Sequence, residues 1–315
     1  KNTSNLENTD VFSTMINVVT KLRGSDHFSK SFITDDNFRD LELINNQVIM
    51  ASSNGQLINY NLLNKTKTYS EALPNEFNVR AISSSEKHQL IAFGSVNGEL
   101  VFRDYNDVNL FKNVSNKKRI KIHNGVVKDL CFIDDSNLVS IGFDSTVKQL
   151  NIKTGLISVI NEGNISSRLW AMTQSNTQLF VSNAKNELLV FKKNKFKCQF
   201  QKIKSINIEN GIITAMKYFD AFNVIAIGTS SGEILFYSPT YDNIVFSDKK
   251  THNSLVSSID QRENLLLTSS YDKKVVSWYF SKVNKYDWQK GYLLHKDLIY
   301  NAKFVSDYDV LSVGE

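Results

Sequence analysis

Residues 251–279 read THNSLVSSIDQRENLLLTSSYDKKVVSWY. The stretch holds three β-type runs, at 256–260, 265–269 and 275–279, and Tyr271-Asp272-Lys273 joins the last two. Asn or Asp followed by Gly or a small polar residue is the turn chemistry that links antiparallel strands. Working outward, the same run–turn–run pattern occurs five more times. Its turns are Ser53-Asn54-Gly55, Val96-Asn97-Gly98, Phe143-Asp144-Ser145, Ala184-Lys185-Asn186 and Ser230-Ser231-Gly232. With Asn54, Asn97, Asp144, Lys185, Ser231 and Asp272 equivalent, the intervals are 43, 47, 41, 46 and 41 residues. An additional β-type run precedes each pair, at 38–43, 79–83, 126–132, 169–172, 212–217 and 256–260, and a seventh copy starts at 298–304 and reaches 310–314. Val, Ile, Leu, Phe and Tyr dominate these runs, and strands of about five residues are the norm.

A period of about 44 residues sustained along a chain, with four short strands per period, signals a β-propeller. A β-sandwich predicts no fixed long period. The expected fold is therefore all-β: a seven-bladed β-propeller of four-stranded antiparallel blades. Residues 28–315 form it as a single domain, and residues 1–27 are an N-terminal extension. Within the extension, residues 11–22 place Phe12, Met15, Ile16, Val19 and Leu22 on one helical face, which suggests a short helix. The β-branched pair Val18-Val19 leaves a strand open.

The composition agrees with one soluble globular unit. The chain has 315 residues, 41% hydrophobic and 22% charged, and 37 Lys+Arg against 32 Asp+Glu give a formal charge of +5. That excess is mild and permits an acidic partner without requiring one. No apolar run approaches the roughly 20 residues of a membrane-spanning helix. Two cysteines, Cys131 and Cys198, are too few for a disulfide scaffold or a cysteine-rich zinc site. A reducing, intracellular setting, nuclear or cytoplasmic, is expected. The four Asn-x-Ser/Thr sequons beginning at Asn2, Asn64, Asn113 and Asn164 are chance matches in a chain this rich in Asn.

The 251–279 unit resembles a WD-repeat, a eukaryotic propeller family. Such repeats carry a His before the first strand, a Ser or Thr in the second, an Asp in the turn and a Trp in the third. Here His252, Thr268, Asp272 and Trp278 occupy those places. The third unit keeps His123, Ser140 and Asp144, with Leu150 where Trp is expected, and the seventh has His295 and Ser312. The other four units keep only the strand pattern, and no Trp-Asp dipeptide occurs, so the resemblance is to a divergent member. It implies that these tetrads are structural hydrogen-bond sets rather than catalytic dyads. It also implies that an N-terminal strand completes the last blade, with 28–33 as its outer strand. The third strand of that blade then has no source beyond Glu315. Three explanations remain: a cut chain, which we favour, a strand folded back from 10–20, or a strand donated by a partner.

No motif for chemistry withstands its context. Gly228-Thr229-Ser230-Ser231-Gly232 matches Gly-x-Ser-x-Gly, but a nucleophile elbow needs a helix after it and a β-type run follows. No phosphate-cradling loop, His-Glu-x-x-His or Cys-x-x-Cys occurs. The chain is expected to have no catalytic, cofactor or metal site. Two basic clusters stand out: Lys117, Lys118, Arg119 and Lys121, and then Lys192, Lys193, Lys195 and Lys197 with Phe191, Phe196 and Phe200 interleaved. Lysines among aromatics can bind RNA or another polyanion, although solvated edge lysines give the same pattern. The leading expectation is a non-catalytic scaffold for protein–protein interactions in a multi-subunit complex, which is also the role the resemblance implies. Docking is expected at the long connections 64–78, 106–122 and 279–294, with Tyr286 and Trp288 as anchors. The alternative is a propeller that binds RNA or another polyanion through the lysine clusters, as in ribosome assembly.

Overall fold

A computed structural model describes residues 14–20, 30–34, 38–64, 66–69, 73, 77–86, 89–104, 119–161, 165–194, 200–209, 211–249, 251–280, 291–295, 297–306 and 309–314. They form an all-β propeller of four-stranded antiparallel sheets. Six blades are contiguous in sequence and run from an inner strand outward. The inner strands are Phe38–Ile44, Val79–Ser85, Val127–Phe132, Leu169–Gln174, Ile213–Phe219 and Val256–Arg262. A seventh sheet is assembled from the two ends of the described chain. Ile299–Phe304 and Asp309–Gly314 are its inner pair, and Thr14–Thr20 and Lys30–Thr34 are its outer pair.

The second strand of each blade lies between two neighbouring blades, so both of its faces are buried. Asn137–Gly142 and Val224–Thr229 are buried at every residue. That double burial explains why the sequence shows short continuous apolar runs instead of a strict alternation. Outer strands face solvent, as in Phe200–Asn207, where only Phe200 is buried. Apolar clusters fill each gap between blades. Phe77, Ile91 and Phe93 meet Ile49 and Leu57 between blades one and two, while Phe219, Phe236, Trp278 and Phe280 join blades five and six. Phe38, Leu41, Met50 and Ile58 of blade one pack on Leu311 and Val313 of the seventh sheet, which closes the ring. Each fully buried Phe or Leu contributes about 1.5–3 kcal/mol, so stacking of blades is the main cohesive force.

Two expectations are corrected here. Thr14–Thr20 is a strand, not a helix. It pairs with Asp309–Gly314 in the register Ile16↔Val313 and Val18↔Leu311, so part of the expected extension belongs to the propeller. Helical periodicity in this stretch is outweighed by β-branched Thr14, Ile16, Val18, Val19 and Thr20 and by the strand edge that needs a partner. The last blade is also not left incomplete. The C-terminal stretch supplies two strands and the N-terminal segment the other two, with Lys30–Thr34 outermost and Ile16 opposite Phe32.

Side chains reinforce the stacking. The carboxylate of Asp40 accepts the Ile82 N–H at 2.7 Å, that of Asp129 the Met172 N–H at 3.0 Å, and that of Asp260 the Phe304 N–H at 2.8 Å. Each ties an inner strand to the next. The closing pair uses such bonds across 261 residues of sequence: Asn301 Nδ2 donates to Asp40 Oδ1, and Lys303 Nζ to Glu42 Oε2. Removing one partner of a sequestered ion pair costs more than removing both, because the survivor stays uncompensated. In a double-mutant cycle by urea denaturation, Lys303→Met and Glu42→Gln should each destabilise the chain. Their combination should cost about 1–3 kcal/mol less than the sum. Strict additivity would show that this pair does not couple the first and last blades.

Candidate functional site

The first group of chemically suggestive side chains lies within the blades. In blade six, His252 Nδ1 is 3.1 Å from Asp272 Oδ1, and its Nε2 is 2.9 Å from Thr268 Oγ1. Trp278 Nε1 donates to the same hydroxyl at 3.2 Å. Asp272 also accepts the Asn253 and Lys274 N–H groups at 2.9 and 3.1 Å. Blade three repeats the set with His123 between Asp144 Oδ1 at 2.9 Å and Ser140 Oγ at 2.8 Å. Leu150 is buried in place of an indole. Blade seven brings His295 Nε2 to 2.6 Å from Ser312 Oγ.

In connectivity, Ser140–His123–Asp144 imitates a hydrolytic triad. Access separates it from one, since Ser140 and Thr268 are both 0% exposed and no substrate carbonyl can reach either hydroxyl. Packing around the imidazole is equally closed. A Cβ on Gly142 would lie 2.5 Å from His123 Nδ1 and 2.7 Å from Asp144 Oδ1, so only glycine fits there. Burial opposes ionisation of Asp144. Hydrogen bonds from His123, the Asn124 N–H and Thr146 outweigh it and hold the carboxyl well below the usual carboxylate range. Asp272 is held low for the same reasons, with the Lys274 N–H in place of the threonine. His295 goes the other way: burial pushes it down to about 4, and Asp297 only partly opposes this.

The second group lines a central cavity of about 540 Å³, to which all seven inner strands contribute. Every inner strand slips register against its neighbour near its start, between Phe38/Asp40, Val79/Ala81, Val127/Asp129, Leu169/Met172, Ile213/Ala215, Val256/Ser258 and Ile299/Asn301. Such a bulge re-aims the extra side chain. The extra residues are Arg39, Arg80, Lys128, Trp170 with Ala171, Thr214, Ser257 and Tyr300, and all of them line the cavity. Three consecutive blades thus present cations, while Trp170 and Tyr300 flank this arc. The Arg39 guanidinium lies 4.2 Å from the Tyr300 ring centroid, and Lys128 Nζ lies 5.6 Å from that of Trp170.

Further along the inner strands the charges compensate one another. Lys303 pairs with Glu42, and Lys217 Nζ is 3.9 Å from Asp260 Oδ1. Burial works against the Lys303 charge, but Glu42, Asp260 and Asp40 raise its pKa above the ordinary lysine value. Burial pushes Asp129 up to about 6 despite Lys128 and two backbone N–H donors, and it raises Asp40 as well. Lys128 falls to about 8 through burial and repulsion from Arg80. Cys131 packs against the cluster between blades three and four and also lines this cavity, and burial and Asp129 push its thiol up to about 12.

The basic clusters of the sequence divide differently. Lys117, Lys118, Lys195 and Lys197 lie outside the described residues, as do Cys198, Tyr286 and Trp288. Arg119 pairs with Glu99 at 3.3 Å, Lys121 donates to the Asn97 carbonyl, and Lys193 pairs with Asp134 at 3.2 Å. Lys192 is exposed on the blade-four rim. The Gly228–Gly232 match falls on the hairpin between Val224–Thr229 and Ile234–Ser238, and Ser230 Oγ there accepts the Ile212 N–H at 3.1 Å. No residue of the cation arc was singled out by sequence. Its one signal is a polar or aromatic residue directly after the first buried residue of each inner run.

No helix among the described residues is long and apolar enough to cross a membrane. Neither a protein-family model nor a curated protein matches this chain.

A histidine whose folded pKa is depressed adds stability that is complete above its unfolded value and is lost as pH falls toward the folded one. For His295 that window runs from about 6.5 down to about 4. Its depression corresponds to roughly 3 kcal/mol. His295→Gln should therefore lose less stability than the parent chain between pH 6.5 and 4. Denaturant midpoints across that range test this, and parallel slopes would contradict it.

Proposed function

We propose that this chain is a divergent WD-repeat propeller of seven blades, acting as a non-catalytic scaffold for protein partners in a multi-subunit complex. The observation that carries this reading is the fate of the histidines. His123 and His252 are spent on fully buried hydroxyls and turn carboxylates, so they brace blades rather than meet a substrate. Their arrangement also supports the family assignment, since it joins the four side chains that define a WD-repeat. A braced disc with variable edges suits docking, because it holds its loops still without requiring chemistry of its own. Large apolar side chains stand free on its periphery: Tyr241 at 76% exposure, Leu63 at 74% and Leu156 at 70%. These are the described candidates for partner anchors. The composition and the resemblance place the proposed role inside a eukaryotic cell, in the nucleus or cytoplasm.

The second reading, binding of RNA or another polyanion through the lysine clusters, has weaker support. Arg119, Lys121 and Lys193 already meet acceptors within the chain, as does the neighbouring Lys204 with Asp242. Affinity capture from native cells, washed at about 50 mM and then 200 mM salt, separates the two readings, because phosphate-backbone contacts weaken by orders of magnitude over that range. A stoichiometric protein set should survive the high-salt wash. Recovery dominated by RNA that washes away, and that is abolished by charge reversal at Lys192 and Lys193, would replace the scaffold reading.

A further inference from the structure

The bulge ring is uneven in a way that blade stacking does not require. Ala171 apart, four of its members, Trp170, Thr214, Ser257 and Tyr300, are neutral. Thr214 Oγ1 donates to the Val256 carbonyl at 2.7 Å, and the Ser257 hydroxyl lies 2.9 Å from that of Ser269, so both are engaged in the fold. The remaining three, Arg39, Arg80 and Lys128, come from adjacent blades and crowd one side of the cavity. Among the described residues, none of the three has a hydrogen bond or an ion pair. The nearby acids do not bridge them. Asp40 spends its oxygens on the Leu41 and Ile82 N–H groups and on Asn301, and Asp129 on those of Leu130 and Met172. A second observation points the same way: Trp170 Nε1 is buried and has no hydrogen-bond partner among the described residues. A buried indole N–H normally finds an acceptor. The cavity wall therefore concentrates three cations without an internal acceptor, beside an indole whose own N–H is unsatisfied.

We propose that this side of the central channel binds a phosphoryl group, held by Arg39, Arg80 and Lys128 as a cationic arc, with the Trp170 ring bordering it.

The choice of anion follows from the number and spread of donors. A phosphoryl group offers three terminal oxygens and close to two charges, enough to meet donors from three blades at once. A carboxylate has two oxygens and one charge, and it would leave part of the arc unanswered. Guanidinium groups also match the fork geometry of phosphate oxygens. Arg39 is oriented in advance by its seat on Tyr300, which lowers the ordering cost of binding. The Lys128 pKa is depressed first by burial and then by repulsion from Arg80, which an anion would relieve. Asp40 and Asp129 temper the arc without cancelling it, so the affinity should be moderate.

The test uses the purified chain and defined anions, so its outcome is independent of the scaffold reading. Calorimetric titrations at about 150 mM NaCl would compare inorganic phosphate, a phosphoserine peptide, and the same peptide carrying Ser or Glu. Saturable binding of the phosphorylated probe, at least tenfold tighter than the Glu peptide, is expected. A phosphopeptide tenfold tighter than inorganic phosphate would assign the group to a phosphorylated protein, and equal affinities would assign it to a small phosphorylated metabolite. Arg80→Gln should weaken phosphate at least tenfold while leaving Tm without anion equal or higher, because one repelling charge is gone. Lys153→Gln, in the exposed turn between Val147–Asn151 and Ile157–Val159, should leave binding unchanged. Should Arg80→Gln not fold, intrinsic fluorescence locates the site, since phosphate should perturb it in the parent chain and not in Trp170→Phe. No saturation up to 10 mM phosphate or phosphopeptide, or undiminished binding by folded Arg80→Gln, would overturn the proposal.

Discussion

Everything in this molecule depends on the ring closing between its last inner strand and its first. An open stack of β-blades would leave an apolar face bare at each end, with Phe38, Leu41 and Met50 on one side and Leu311 and Val313 on the other. Closure buries both faces against each other and turns a row of sheets into a body with no exposed end. Hydrophobic burial supplies the energy but tolerates sliding. The directional bonds Asn301–Asp40 and Lys303–Glu42 fix the angle at which the ends meet. The seventh sheet makes closure topologically mutual, since half its strands come from each end of the described chain.

Within that ring, polar side chains divide into braces and exceptions. The braces follow one rule, in which a short polar side chain on an inner strand caps a backbone N–H of the following inner strand. Asp40, Asp129, Thr173, Ser258 and Asp260 all do this. The histidines obey the same economy inside each blade, where an imidazole joins a turn carboxylate to a strand hydroxyl. A buried polar group is costly unless its partners are present, so each buried imidazole keeps at least its strand hydroxyl, even where the indole or the turn carboxylate is missing. Blades that lack the histidine have an Asn, Ser or Thr that caps its own turn, as Asn183 does through the Lys185 and Glu187 N–H groups. The exceptions are the three unpaired cations of the channel. Two of them rest on aromatic rings of neighbouring blades, yet no acid neutralises the three, and their mutual repulsion is the kind of local cost that proteins retain at binding sites.

The period, the turns and the strand content were legible in the residues because each is a local property. Asn54-Gly55, Asn97-Gly98 and Asp144-Ser145 specify hairpins through their own backbone preferences, and β-branched runs specify strands. The blade-six tetrad was legible for a different reason, since His252, Thr268, Asp272 and Trp278 stand at fixed offsets inside one repeat. Thr14–Thr20 was not, because its spacing satisfies a helix and a strand equally and only the unpaired edge of Asp309–Gly314, almost 300 residues away, decides between them. Partnering of Lys193 by Asp134 and of Lys204 by Asp242 was hidden too, as each pair joins different blades.

By itself, then, the sequence determined a repeated β-architecture with hairpin turns and an internally bonded histidine set, all encoded within windows of about 45 residues. Only the tertiary structure decided which strands complete the seventh sheet, how the ends are locked, and that Arg39, Arg80 and Lys128 share one cavity wall. Those three residues stand more than 40 positions apart and look like ordinary surface cations in the chain. Their convergence comes from a one-residue slip repeated at the start of every inner strand. A bulge is set by how two strands twist against each other and against a closed ring, and no single run of residues carries that information.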